Sequence, residues 1–245
     1  MNIKSIRDRL AALYKNREFV LVNDSLTVEI IGASFKANAD AIFGKPNEDY
    51  IRREIDWYES MSRNVYDIEG KVPKIWEMIS SPKGEINSNY GSLIFSSRNY
   101  NQYGKVLNTL RKDPNSRRAV MIYTNPRMHE FFNRDGMTDF ICTNSVQYVI
   151  RKNKLSAIVQ MRSNDAWAGY RNDYAWQKYV LKKLASQLKC EVGDIHWNAG
   201  SLHVYQNQFY LLEHYLQTGE HHITKKEYEA LSSPPLISST NHPSR

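Results

Sequence analysis

Apolar side chains recur at two periods along this chain. Ile6, Leu10, Leu13 and Tyr14 keep the three-and-four spacing that predicts a helix over residues 5–15. The same spacing predicts a helix over 49–61, with Ile51, Ile55 and Tyr58 on one face and Glu54 and Trp57 close to it. Shorter helices are expected over 103–110, ended by Lys112-Asp113-Pro114-Asn115, and over 209–216. The longest is expected over 174–188, where Trp176, Val180, Leu184 and Leu188 recur every fourth residue beside Leu181 and Ala185. Strand-like runs cover Val20–Val22 and 26–31 around Asn23-Asp24, a short buried stretch at 119–123, and 195–197 and 202–205. Two further strands, 145–151 and 155–161, flank a turn at 152–154 and read as a hairpin. Helices and strands are interspersed without a regular β-α-β beat, and neither Gly-x-Gly-x-x-Gly nor a Walker sequence occurs. The expected class is α+β, with a mixed or antiparallel sheet and flanking helices.

Length supports a full-sized core: 245 residues can form one large domain or two small ones. No stretch has the composition of an interdomain linker, so a single domain over 1–245 is expected, with a loose or ligand-dependent Ser- and Pro-rich tail at 232–245. No run of about eighteen apolar residues predicts a membrane span, and the charged start lacks an apolar leader core. A soluble, cytoplasmic protein is expected.

Lys and Arg (33) outnumber Asp and Glu (26), and a net charge of +7 favours an anionic partner such as a nucleotide or other phosphorylated molecule. The basic residues are scattered among acids, which argues against direct nucleic-acid binding. The two cysteines, Cys142 and Cys190, form no Cys-x-x-Cys and no zinc spacing, so no metal site is expected.

Cys142 stands at the entrance to the hairpin, and Arg162 lies about as far beyond the turn as Cys142 lies before it. The two can face each other across the sheet, and a cation beside a thiol favours the thiolate. On these residues alone Cys142 is either a nucleophile or a buried structural thiol; Cys190, directly after a helix, reads as structural. Arg117-Arg118 follow Pro114-Asn115-Ser116. Two adjacent guanidinium forks suit a phosphate dianion, and they equally suit a solvated surface. The segment 162–173 is polar or small at most positions and reads as a binding loop between a buried strand and a buried helix, with Asn172 or Asp173 able to cap that helix.

Together these pieces resemble the thymidylate synthase superfamily from about Glu54 to Tyr205. The carrying segments are Glu54-Ile55-Asp56-Trp57-Tyr58, Ile75-Trp76, Asn89-Tyr90-Gly91, Asp113-Pro114-Asn115-Ser116-Arg117-Arg118, Cys142, Arg162-Ser163-Asn164-Asp165, Glu191-Val192-Gly193-Asp194 and Gly200-Ser201-Leu202-His203-Val204-Tyr205. Each is weak alone; their shared order and spacing make the resemblance specific and favour Cys142 as nucleophile. Two departures bear on the substrate. Synthases acting on dUMP have Pro-Cys-His where this chain has Ile141-Cys142-Thr143, and an Asn reads their pyrimidine where this chain has Asp173. A carboxyl suits the cytosine edge, with its amino donor, better than the O4 of uracil. The chain is therefore similar to the phage-type branch of the superfamily that hydroxymethylates dCMP.

That resemblance implies a thymidylate synthase-like fold and a set of roles. Cys142 would add to C6 of dCMP, Glu54 would act as general acid and base, and Asp173 would hold the cytosine edge. Arg162 and Ser163 would bind the phosphate, joined by Arg117 and Arg118 from a second copy, so the enzyme would be a homodimer with shared active sites. His203 and Tyr205 would hold the deoxyribose. The one-carbon donor would be 5,10-methylenetetrahydrofolate, with Asp165 at its pterin and Trp76 and Tyr90 lining the site. A C5-methyltransferase of the same family and a non-catalytic nucleotide- or RNA-binding relative are the alternatives. A phage-encoded enzyme of this kind would work in the host cytoplasm.

Overall fold

The computed structural model describes residues 1–22 and 24–232, so the expected tail lies outside the described residues except for Ser232, the end of the last helix. The helices are α1 (Ile3–Lys15), α2 (Glu48–Ser60), α3 (Lys74–Ile79), α4 (Tyr90–Phe95), α5 (Gln102–Lys112), α6 (Met128–Phe131), α7 (Ala168–Leu188), α8 (Phe209–Thr218) and α9 (Lys225–Ser232). The strands are β1 (Val20–Val22), β2 (Ser25–Lys36), β3 (Val120–Ile122), β4 (Thr143–Arg151), β5 (Lys154–Asp165) and β6 (Glu191–Tyr205). They form one mixed sheet in the order β1-β2-β6-β5-β4-β3. Every neighbouring pair is antiparallel except β5 and β6, whose parallel pairing is bridged by α7. The expected α+β class with a mixed sheet is borne out.

The hairpin forms as its sequence predicts. Lys152 and Asn153 take positive φ (49° and 60°) in a two-residue turn, and Arg151 pairs with Lys154. Around it, Leu155, Ala157, Val159 and Met161 of β5 and Val146 and Tyr148 of β4 point into the core. There they meet Tyr123 and the fully buried Trp176 and Val180 of α7.

A step then runs through four adjacent strands at one level. The inward-facing positions jump by three instead of two: Thr143 to Val146 in β4, Met161 to Asn164 in β5, Ala199 to Leu202 in β6, and Ile30 to Ala33 in β2. In β4 the pairing register shifts between Thr143 and Ser145, the signature of a β-bulge. Gly32 takes φ +66° at this level, and a Cβ on its sheet neighbour Gly200 would lie 2.8 Å from the carbonyl oxygen of Arg162. Gly200 lets the strands approach where a side chain would force them apart, and Gly32 supplies the left-handed backbone conformation at the same level.

The step explains where the sequence pattern misleads. The stretches 195–197 and 202–205 are one strand, β6, because the alternation changes phase at Gly200 without the strand ending. Similarly, 162–173 is not a loop. Arg162 to Asp165 complete β5, Ala168 to Asp173 open α7, and only Ala166 and Trp167 join them. The carboxylate of Asp165 accepts from the amides of Trp167 (2.9 Å) and Ala168 (3.1 Å), which starts the helix six residues earlier than the apolar spacing suggests. Neither Asn172 nor Asp173 is therefore a cap. The short strand β3 is an edge, with Met121 buried and Ile122 57% exposed, so the expected burial of 119–123 holds only in part.

Candidate active site

Cys142 directly precedes β4, on the rim of the step. The backbone amide of Arg162 donates to the Cys142 carbonyl (2.9 Å), so the two residues face each other across the hairpin as their spacing predicts. The Arg162 guanidinium is held by the carbonyls of Phe140 (2.5 Å) and Ile141 (3.0 Å), lies over the Phe140 ring, and brings Nη2 to 3.5 Å from Sγ. The cation pulls the thiol toward ionisation, yet enclosure by protein outweighs it and pushes the Cys142 pKa up to about 11. Nearby Asp173 and Asp139 add to that rise. Cys142 is thus a protonated thiol at neutral pH, where pairing with Arg162 alone had suggested a thiolate.

Asp139, three residues earlier, is buried. Its carboxylate accepts from the amides of Asn87 (2.6 Å) and Ser88 (2.8 Å), and the Asn87 side-chain amide donates back to the Asp139 carbonyl (3.1 Å). This clamp ties the lead-in to Cys142 to the segment that opens α4. Tyr90, the first residue of α4, is buried; its hydroxyl accepts from Thr143 Oγ1 (3.0 Å), and its ring stacks on Tyr58 of α2 at 5.3 Å.

The two acids converge from α2 and α7. Glu54 shares the buried face of α2 with Ile51 and Tyr58 and is itself buried. Its Oε1 accepts from the Tyr50 hydroxyl, one turn back, and from Trp76 Nε1 of α3 (3.3 Å); Trp76 Nε1 also reaches the Tyr50 hydroxyl at 2.8 Å. Burial pushes Glu54 up to about 7 despite these donors. Asp173 projects from the second turn of α7 into the same recess, and its Oδ2 accepts from Asn164 Nδ2 (2.8 Å). Enclosure, and then the charge of Glu54, push Asp173 up to about 8. It is therefore neutral at pH 7: Asp173 sits inside α7 and not at its first amides, where the helix dipole would favour the anion.

At the other side of the step, β6 presents His203 and Tyr205, whose rings meet edge to face at 4.7 Å. His203 Nδ1 lies 3.1 Å from Ser201 Oγ, and that hydroxyl bonds to Glu29 of β2. Burial lowers the His203 pKa, so the imidazole is neutral. Ser163 lies beside Ser201 in the β5–β6 pairing. Asp165 pairs with His203 in the same ladder, and both of its oxygens are engaged at the start of α7. Any contact from Asp165 to a pterin must share those oxygens.

Arg117 and Arg118 are exposed and form no ion pair among the described residues. Ala119 next to them pairs with Tyr148, six residues along β4 from Cys142 and roughly 20 Å away at ordinary strand rise. Within one chain the fold does not bring these arginines to the thiol.

Of the remaining expected residues, Cys142, Arg162, Glu54, Asp173, Trp76 and Tyr90 are linked by hydrogen bonds and electrostatic contacts, Tyr205 lies near Cys142 and Arg162, His203 lies near Arg162, and Ser163 is placed by its pairing with Ser201. Sequence reasoning passed over Tyr50, Thr143 and Gln177. Tyr50 was legible as the i−4 partner of Glu54. Gln177, one turn after Asp173, is fully buried, with its amide near the Tyr123 hydroxyl and its Oε1 without a partner among the described residues; Asn164 Oδ1 and Asn172 Oδ1 likewise have none among them. Buried amides without partners mark places where water or a ligand supplies the missing bond. Beside Trp76, the exposed Ile75 and Met78 add apolar surface. A flat heterocycle with amide-like edges fits such a lining. A cavity of about 270 Å³ between α2 and α7, lined by Asp40, Ile51, Arg171, Tyr174 and Lys178, contains none of these residues. Among the described residues no cluster of His, Cys, Asp and Glu could hold a metal ion, and no helix is long and apolar enough to cross a membrane.

The thymidylate synthase family model matches residues 47–232, and the chain belongs to that family. Within it, the chain is similar to the deoxycytidylate 5-hydroxymethyltransferases of Enterobacteria phages T4 and T6. It is 52% identical to the first over 236 residues (93% of this chain, 96% of that protein) and 52% identical to the second over 237 (94% and 96%). A thymidylate synthase of Francisella tularensis subsp. holarctica is 27% identical over 167 residues, 64% of this chain and 61% of that one. Among solved structures, thermostable thymidylate synthase A from Bacillus subtilis superposes with a TM-score of 0.67 at 20% identity, covering 89% of this chain and 84% of that one, which shows a shared fold.

Proposed function

We propose that this chain is a deoxycytidylate 5-hydroxymethyltransferase that adds a hydroxymethyl group to C5 of dCMP. The observation that carries the reading is Asp173: a neutral carboxyl set between Asn164 and Glu54 in the recess of Cys142, in a chain 52% identical over nearly its whole length to enzymes of that activity.

A protonated carboxyl offers one acceptor and one donor. Its carbonyl accepts from the cytosine amino group while its hydroxyl donates to N3. When Cys142 Sγ bonds to C6, electron density moves into the ring and N3 becomes a strongly basic amidine nitrogen. Asp173 then gives up its proton and accepts from both N3–H and the amino group. The C4 carbonyl oxygen of a uracil adduct is a much weaker base and draws that proton less.

The thiol of Cys142 must lose its proton as the Sγ–C6 bond forms. Arg162 beside Sγ stabilises the anion during that step. Bonding at C6 makes C5 the nucleophile toward the one-carbon unit, which methylenetetrahydrofolate supplies. Glu54, titrating near neutrality, takes and returns protons and orients the water that completes the hydroxymethyl group. Loss of the C5 proton would break the bond between the one-carbon unit and the folate nitrogen and release tetrahydrofolate, water would add to the exocyclic methylene left on C5, and expulsion of Sγ would restore the aromatic ring. Trp76, Ile75, Asn172 and Asp165 would hold the folate.

Arg162 and Ser163 bind the substrate phosphate, and His203 and Tyr205 bind the sugar through groups left open by Ser201. Arg117 and Arg118, unpaired and far from their own Cys142, serve the phosphate in a second copy of the chain. The homodimer joins the sheet faces that leave Ile31 71% and Ile122 57% exposed. The test is tritium release from 5-labelled dCMP against 5-labelled dUMP, with mass spectrometry of the product. Hydroxymethyl-dCMP is expected; a methylated product or a preference for dUMP refutes the assignment.

A further inference from the structure

The carboxyl of Glu54 is asymmetric in its contacts, and Tyr50 is responsible for much of that. The Tyr50 hydroxyl and the Trp76 indole N–H both address Oε1, whereas Oε2 receives no side-chain or backbone donor among the described residues. An indole N–H can only donate. Trp76 therefore donates to the Tyr50 oxygen, which leaves the Tyr50 proton to point at Glu54. The chain Trp76 to Tyr50 to Glu54 has one direction, and Oε1 must accept at its end.

The phenol is held firmly. Its ring lies under the Arg53 guanidinium at 5.5 Å, and Arg53 is itself fixed by Asp49 (3.0 Å) and by the carbonyls of Glu69 (2.6 Å) and Lys71 (3.2 Å). Tyr50 is only partly buried and Glu54 fully so; the phenol thus stands between the acid and the rim of the recess.

We infer that Tyr50 is a positioning residue that reserves Oε1 of Glu54 as an acceptor and so makes Oε2 the oxygen that exchanges protons during the reaction. The inference rests on the proposed role of Glu54. Other groups facing Glu54 are Asp173 from α7 and the phenol of Tyr58; burial raises the Tyr58 pKa well above the usual range, so that phenol remains neutral. The Tyr50 hydrogen bond favours the Glu54 carboxylate and holds its pKa down against burial. Removing it moves the Glu54 ionisation to higher pH, whether the acid or the base form limits turnover.

The experiment is the pH profile of kcat for Tyr50→Phe, with Trp76→Phe as a second, weaker lesion of the same chain and Glu54→Gln as reference. Expected are a kcat loss of about tenfold for Tyr50→Phe, below the roughly 10²–10⁴-fold that a general acid–base group contributes because Glu54 itself remains, and a KM for dCMP close to that of the parent. The ionisation near neutrality should move upward in both variants and vanish in Glu54→Gln. A profile unmoved in both Tyr50→Phe and Trp76→Phe, with the ionisation lost in Glu54→Gln, overturns the role of Tyr50 alone, even if activity drops. Persistence of the ionisation in Glu54→Gln overturns the catalytic reading of Glu54 and this inference with it.

Discussion

Replacing Asp173 by Asn probes base choice and the electrostatics of the recess in one variant. An amide keeps the size of the side chain, and its N–H can still meet a nucleobase acceptor. It cannot surrender a proton to N3 of the cytosine adduct. Toward uracil it matches the edge without proton transfer, donating to O4 and accepting from N3–H. A matched polar contact exchanged for a mismatched one is worth about 1–3 kcal/mol. Loss on dCMP and gain on dUMP together should change the ratio of kcat/KM by roughly a hundredfold, or about 2.7 kcal/mol. Stability supplies an independent reading. Folded Asp173 holds its proton up to about pH 8, against 3.8 for a carboxyl in water. Between those pH values the folded chain binds more protons than the unfolded one, so stability falls as pH rises. The gap sets a ceiling of roughly 6 kcal/mol at 1.36 kcal/mol per unit, and the contribution is smaller because the side chain is partly reachable by solvent. Asp173→Asn removes this titration. Its Tm should decline less than that of the parent between pH 5 and pH 8, with Glu54 accounting for the slope that remains. The assays are paired initial rates on dCMP and dUMP, and thermal melts across that pH range. An unchanged substrate ratio would refute the role in base choice, and parallel melting profiles would refute the raised pKa.

Three other outcomes follow from the same geometry. Cys142→Ser should lose turnover by on the order of a thousandfold while keeping dCMP affinity measured by calorimetry, because the thiol makes the covalent bond and contributes little to ground-state binding; activity within tenfold of the parent counts against the nucleophile. Alkylation of Cys142 by iodoacetamide should rise steeply above neutral pH, and Arg162→Ala should slow it at pH 8 by removing the cation that favours the thiolate; an unchanged rate in that variant refutes the pairing. Arg118→Ala and Cys142→Ser should each be inactive alone and regain activity when mixed, since the exchanged dimer contains one site with neither lesion. No recovery after verified subunit exchange argues against a shared site.

Local sequence determined a good deal here. The apolar spacing placed the bodies of α1, α2, α5, α7 and α8, because each buries a stripe against the sheet or a neighbouring helix and that stripe has the helical period. The hairpin was equally legible, since a two-residue turn sets its register as far as Ser145; the bulge beyond it supplies the last one-residue shift that brings Arg162 opposite Cys142. Residue order and spacing also carried the family, which no individual motif could have done. Tertiary structure decided the rest. The step through β2, β6, β5 and β4 changes the alternation at one level of the sheet, and from within a single strand it looks like an ending. Polar residues from Arg162 to Asp173 resembled a loop because polarity marks the wall of a recess as well as a surface. Ionisation was the least legible feature. Cys142 beside Arg162 suggested a charged thiolate, and nothing in the sequence showed that Asp173 is neutral, yet a thiol and a carboxyl respond to the protein that encloses them, and burial outweighs the favourable neighbours at each. A chain of letters shows which charges are adjacent; only the folded packing determines how much water each one has lost.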